Sequence, residues 1–348
     1  MNTAHSQDRP AAENSPSPQR SEGNGGDNLR ILTVTNMYPT PTAPMLGIFV
    51  EEQVMSLRRR GLDVDVLVVN GVEEGLGAYV RGFWRIRRTL LKERYDLVHA
   101  HYVFSGDLLI GQRAIPGVRV PPVVLTQHGP ETQIGWTPPL CRWTSRRVTR
   151  TIATSRRVEQ ALGLPDVSIL PCGVDTDLFR PMPRAEARAA LGLPADGRLV
   201  LFAGMPRRPE KRFDLVEAAV TRLRETQSEA RLIVAEAEPH ERIPLFMNAC
   251  DVLILASSAE GSPMVIKEAM ACNLPIVTVG VGDTEEVIGD TAGCYLADPD
   301  AGSLADKLAQ ALAFGGRTRG REVVMETLSL EAIAVHLVTI YRDTLKKR

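Results

Sequence analysis

Two glutamates, Glu260 and Glu268, lie within the stretch of the chain best suited to chemistry, residues 257–277 (SSAEGSPMVIKEAMACNLPIV), and flank the helix start inside it. Glu260 lies in a Gly/Ser/Pro loop and Glu268 in the helical pattern that follows. A fully helical run would set them about 12 Å apart at 1.5 Å per residue. That exceeds the roughly 5–9.5 Å of a glycosidase acid/base pair. The separation suits two grips on one long ligand, each carboxylate accepting hydrogen bonds from hydroxyls. Spacing alone equally allows a loop carboxylate and a solvated helix carboxylate. Pro263 fits just ahead of a helix starting at Met264, where its missing N–H costs little. The free N–H groups of such a start favour an anion such as a phosphate.

Three cations, Arg207, Arg208 and Lys211, stand at another strand-to-helix junction, where they could neutralise a diphosphate. A solvated loop is the plainer reading. Gly47 stands at a third such junction and permits close backbone approach to a ligand; an ordinary loop glycine is the alternative. His101 and His128 sit at the ends of two strands. One such histidine is weak evidence, but two at the ends of different strands of one sheet converge on one crevice. There is no GxGxxG, GxxxxGK[ST] or HExxH, so a nicotinamide dehydrogenase, a P-loop enzyme and a zincin are poorly supported. No DxD is placed to announce a metal-held nucleotide sugar.

The elements that must position these residues form two series. Strands are expected over 31–35, 63–69, 96–100, 123–126, 151–153 and 168–170, with a helix from Gly47 to before Gly61. A second series begins near Arg184, with strands over 199–203, 231–235, 251–256, 275–279 and 294–296. Its helices are expected over 210–225 and 243–250, from near Met264 onward, and over 283–288, 301–314 and 330–345. Strand–loop–helix–strand order implies parallel sheets, and ligands of such sheets bind at the carboxyl ends of the strands. The Pro-bearing run up to Pro183 is expected to connect the two halves.

A length of 348 residues fits about two domains. The balance of 44% apolar to 5% aromatic residues is that of a soluble globular protein. A net charge of −1 gives no field that points to nucleic acid. The five cysteines show no CxxC spacing and read as reduced thiols of a cytosolic protein. There is no signal-peptide pattern and no apolar run near the roughly 20 residues of a membrane span. The most basic stretch, 78–94 (AYVRGFWRIRRTLLKER), is either a surface helix with a solvated face or a patch for an anionic membrane or phosphate-bearing acceptor.

Residues 257–277 resemble the signature of the retaining GT-B glycosyltransferases of family four, which includes bacterial mannosyl-, glucosyl- and N-acetylglucosaminyltransferases. Glu260 and Glu268 match its E-x7-E, and EAMACNLPIV agrees closely. Other segments resemble the family in order: Gly47-Ile48-Phe49, DLVHAHY at 96–102, His128-Gly129, CGVDTDLFRP at 172–181, GMPRRPEKR at 204–212, GDTEEVIGDTAGCYLAD at 282–298 and a last helix with Tyr341. The resemblance implies an α/β GT-B fold, two Rossmann-like domains facing each other across a cleft. The acceptor domain would span 29–183 and the donor domain 184–325. A disordered tail would cover 1–28, and a helix over 326–348 would pack back toward the first domain.

Residue by residue, the resemblance implies that Glu268 holds the ribose hydroxyls of a nucleotide-diphosphate sugar. Glu260 would contact the sugar's hydroxyls, helped by the backbone at Ser262, Pro263, Met264 and Val265. Lys211 with Arg207 or Arg208 would bind the diphosphate. His128 would lie beside the transferring sugar, His101 toward the acceptor, and Gly47 would let its loop close over the phosphates. Retention would proceed without a firm protein nucleophile, the leaving phosphate helping to deprotonate the acceptor. No metal or cofactor is expected. The partners implied are the donor and a hydroxyl-bearing sugar, lipid-linked or small-molecule acceptor.

Two departures bear on this. Where the family places an Arg five residues before the Lys, this chain has Pro206. After 231–235 the chain passes almost directly to 251–256, omitting a segment that frames the nucleobase; UDP is the first expectation and GDP the second. A nucleotide-sugar epimerase on the same architecture and a non-catalytic nucleotide-sugar-binding protein are the other readings.

Overall fold

The computed structural model describes residues 29–133 and 135–346. The tail over 1–28, expected to be disordered, lies outside the described residues. Two parallel sheets organise the chain. The first contains β1 (Arg30–Thr35), β2 (Asp63–Val68), β3 (Leu97–His101), β4 (Val123–Gln127), β5 (Arg150–Ala153) and β6 (Ser168–Ile169), in the order β2-β1-β3-β4-β5-β6. The second contains β7 (Arg198–Ala203), β8 (Ala230–Ala235), β9 (Val252–Leu255), β10 (Ile276–Val279) and β11 (Cys294–Ala297), in the order β11-β10-β9-β7-β8. The central strands β3, β4, β9 and β10 are buried along their whole length; β9 (VLIL) and β10 (IVTV) are accordingly near-continuous apolar runs, while β3 and β4 also bury His99, His101, Thr126 and Gln127.

One face of the first sheet packs Leu32, Val98 and Leu125 against Ile86 and Leu109 of the helices Gly77–Lys92 and Val103–Arg113. The other face carries Ile31, Leu97, Val124 and Ile152. It is covered by the helix Ile48–Arg59 and by Ile333, Ala334, Leu337 and Tyr341 of the last helix, Leu330–Lys346. The chain therefore crosses between the sheets twice. The two passages run side by side, with Val174 N donating to Leu328 O at 2.9 Å and Leu330 N to Val174 O at 3.0 Å.

One expected element differs. Residues 210–225 read as a single helix, but a short 3-10 turn, Pro209–Lys211, precedes the helix Phe213–Leu223. Arg212 between them is left-handed, at φ 48°, which breaks the helical run.

Candidate active site

Two glycine loops meet where the carboxyl ends of the sheets face each other. Gly129 follows His128 after β4, and Gly261 follows Glu260 after β9. A Cβ on Gly261 would stand 1.4 Å from His128 O, and one on Gly129 would stand 2.3 Å from Gly261 Cα. Backbone meets backbone here, and only glycine fits on either side. At the start of the helix Ile48–Arg59, Gly47 adopts φ 68°, and a Cβ there would lie 2.4 Å from Met37 O. That glycine serves the tight turn from the loop after β1 into the helix.

His128 lies under this contact. Its ring is 4.9 Å from Phe49 and 4.5 Å from Tyr102, and its Nδ1 is 4.0 Å from Cys172 Sγ. His128 Nε2 shares a hydrogen bond of 3.0 Å with His101 Nδ1. Behind His101, at a ring distance of 4.2 Å, is His99, which bonds Thr126 through Nε2 and the Tyr341 hydroxyl of the last helix through Nδ1, at 2.8 and 2.7 Å. Burial lowers all three histidines, His101 to about 3. They are neutral imidazoles near neutral pH, able to orient one another but not to carry charge. The structure thus brings His101 and His128 together but buries His101 behind His128.

The second sheet supplies the charges. Lys211 Nζ and Glu260 Oε1 form a partly buried ion pair of 2.6 Å. Glu268, on the helix Met264–Ala271, is buried. Burial pushes its carboxyl up to about 7, a shift that the charge of Glu52 reinforces and those of His240, Lys267 and Lys211 oppose. Lys211 therefore acts on both glutamates. Arg208 pairs with Glu210 at 2.7 Å and its charge reaches Tyr102. Arg207 is exposed.

Pro263 caps the Met264 helix start, and Met264 and Val265 rest partly buried on the core of the second sheet. The Ser262 hydroxyl is already engaged. It donates to Asp283 Oδ2 at 2.6 Å and accepts from Lys267 Nζ and, at 3.3 Å, from Cys172 N. Lys267 is fully buried and pairs with Asp283 at 2.9 Å. This pair fixes the loop between Glu260 and Glu268, and sequence reasoning missed it. The one available signal was the lysine next to Glu268 in a helix whose other residues are apolar or small.

Three Asp-x-Asp triplets do occur, at 63–65, 175–177 and 298–300. Asp63 and Asp65 pair with Arg30, Asp175 accepts from the backbone of Asp177 and Leu178, and Asp300 caps Ser303. All are structural contacts away from Glu260 and Glu268.

The profile described as glycosyltransferase family 4 matches residues 46–178, and that of glycosyl transferases group 1 matches residues 235–319. The putative teichuronic acid biosynthesis glycosyltransferase TuaC of Bacillus subtilis (strain 168) is 25% identical, over 80% of this chain and 88% of TuaC. The chain belongs to glycosyltransferase family four. Its fold is GT-B. Sucrose-phosphate synthase from Thermosynechococcus elongatus superimposes with a TM-score of 0.74 at 21% identity, over 92% of this chain and all of that one. Anabaena HepE in complex with UDP does so with a TM-score of 0.66 at 17% identity, over 90% of this chain and all of that one.

In this transferase the two matched regions hold Gly47, His101 and His128 on one side and Glu260, Ser262 and Glu268 on the other. Arg207, Arg208 and Lys211 fall between them. Lys211 is tied to the matched site by its ion pair with Glu260, and Arg208 by its charge acting on Tyr102.

Proposed function

We propose that the chain is a retaining glycosyltransferase moving a sugar from a nucleotide-diphosphate sugar, UDP-linked first and GDP-linked second, to a hydroxyl acceptor. The observation that carries this is the Lys211–Glu260 pair beside the Met264 helix start, facing His128 across the glycine contact. A diphosphate entering there meets a lysine, an arginine at 207 or 208 and the positive end of a helix. Lys211 then exchanges Glu260 for phosphate oxygens, and Glu260 turns to the sugar hydroxyls. Glu268 takes the ribose hydroxyls. Charge develops on the leaving diphosphate, so cations placed there stabilise the transition state more than the ground state.

His128, neutral and held by His101, offers the sugar a hydrogen-bonding ring without a charge. The leaving phosphate takes the acceptor's proton on the face it departs from, and no metal or cofactor is needed. UDP is favoured because a fold neighbour is seen with UDP. Polysaccharide, glycolipid or glycoside synthesis is favoured by the name of the TuaC relative. We place the reaction in the cytoplasm, because all five cysteines are free and a reducing compartment keeps thiols so.

The test is incubation with UDP- and GDP-sugars, with and without hydroxyl acceptors, followed by NMR of the anomeric centre. Acceptor-dependent release of nucleoside diphosphate with retained configuration is expected. A new nucleotide sugar formed without acceptor would show an epimerase, and binding without turnover a non-catalytic protein. Glu268→Ala should abolish transfer with the fold intact.

A further inference from the structure

We infer that the helix Gly77–Lys92 is a docking surface for an anionic lipid bilayer, which goes beyond the transfer reaction and does not depend on it. The helix has a conventional inner face, with Ala78, Gly82 and Ile86 buried on the first sheet. Its outer face is not conventional. Val80, Trp84 and Leu91 are 64%, 57% and 60% exposed. At 100° per residue these three fall within about 40° of arc, and Arg81, Arg85, Arg88 and Lys92 fill the adjacent roughly 60°. All four basic residues are exposed.

The helix contains five cationic side chains and no acidic one, on a chain whose net charge is −1. A solvated helix face has no use for an exposed tryptophan in line with a valine and a leucine. An apolar stripe beside a basic stripe suits a helix lying in the plane of a bilayer, with apolar groups among the acyl chains and cations at lipid phosphates. The basic stripe decides the occupant in favour of an anionic lipid surface over a neutral apolar partner.

The helix that carries this surface is also linked to the site. Tyr79 of this helix contacts Phe104 at 5.5 Å, and Phe104 contacts the exposed Trp136 at 6.1 Å. Phe104 lies two residues from Tyr102, which touches His128. Tyr79 packs on the core side of the helix, so these rings tie the body of the helix, rather than its outer stripe, to the first-sheet side of the site. No helix among the described residues is long and apolar enough to cross a membrane, so attachment by this face would be peripheral.

The test is co-sedimentation of the full chain with vesicles of phosphatidylcholine alone and with about a third phosphatidylglycerol, at low and high salt. Tryptophan emission is read in a Trp136→Phe, Trp143→Phe background, so that Trp84 reports alone. Binding to the anionic vesicles only, weakened by salt, with a blue shift of Trp84, is expected. Trp84→Glu and the double change Arg85→Ala with Arg88→Ala should each lower the bound fraction at least fivefold while leaving the thermal transition in place. Equal binding to neutral vesicles, no binding, or binding unchanged in these variants would overturn the inference. So would a concentration-dependent dimer that Trp84→Glu abolishes without any vesicle binding.

Discussion

Glu268 is a grip whose strength depends on proton concentration. Its carboxyl must be ionised to offer both oxygens to ribose hydroxyls, yet burial and the neighbouring Glu52 place its titration near 7. Nucleotide affinity should fall as pH drops below about 7, and calorimetric titration of UDP across pH 5.5–8.5 would show it. The effect on stability has the opposite sense. The folded chain binds this proton more tightly than the unfolded chain, so ionisation removes stability as pH rises from the ordinary carboxyl range toward 7. Glu268→Gln should therefore melt higher than the wild type at pH 8 while binding nucleotide at least tenfold more weakly. An equal or lower melting temperature at pH 8 would contradict the buried carboxylate. Lys211→Ala belongs to the same scale. Loss of one preorganised charge on the departing group should lower kcat about 10²–10³-fold, with Lys211→Arg recovering part of it.

At the scale of elements, the contact between the His128–Gly129 and Glu260–Gly261 loops makes Gly261 the most constrained position in the cleft. Gly261→Ala must push the loops apart, since its Cβ would meet His128 O at 1.4 Å. Steady-state assay should show a loss of at least about a hundredfold in kcat/KM, with the thermal transition little changed. Tyr341→Phe tests the other end of the same chain of side chains. It leaves His99 Nδ1 buried without its 2.7 Å partner, a cost of about 1–3 kcal/mol by denaturant titration. These elements differ in how far sequence could disclose them. The convergence of His101 and His128 was legible because both end parallel strands, and β3 and β4 turn out to be neighbours. Lys267 and Asp283 were not, because pattern alone cannot tell that a lysine beside Glu268 points inward. The helix Val103–Arg113 was equally hidden. It starts directly from Tyr102 at φ 67°, with no side-chain cap to announce it.

At the scale of the molecule, the question is what holds the two sheets face to face. Arg157–Glu285, at 2.6 Å, is about half exposed on both sides and contributes little. The His240–Glu52 pair, 3.1 Å and 7% and 13% exposed, joins the helix Ile48–Arg59 to the second half and is better shielded. Burial works against a charge on His240, but its bond to Glu52 and the charges of Glu268, Glu52 and Glu241 prevail and raise its pKa. A raised folded value means the pair is intact below the ordinary histidine range, about 6.5, and is lost as pH rises through the folded value. X-ray scattering should show a more open molecule at pH 9 than at pH 6, and Glu52→Gln should be open at both. Identical scattering curves for wild type and variant would show that the pair does not hold the cleft. The two-sheet plan itself was legible from strand–helix alternation. The clasp was not, because Glu52 and His240 come from opposite halves and neither lies in a motif.

The last helix has a consequence for how the protein is made. Ile333, Ala334, Leu337 and Tyr341 complete the core over one face of the first sheet. Synthesis runs from the amino end, so β1 to β6 leave the ribosome long before that cover exists. Through the translation of the whole second half, Ile31, Leu97, Val124 and Ile152 have on that side only the partial cover of Val54 and Leu57 from the helix Ile48–Arg59. The nascent first half is thus a natural client for a holding chaperone, and it reaches its final form only after the second half has been threaded past it and the chain has returned.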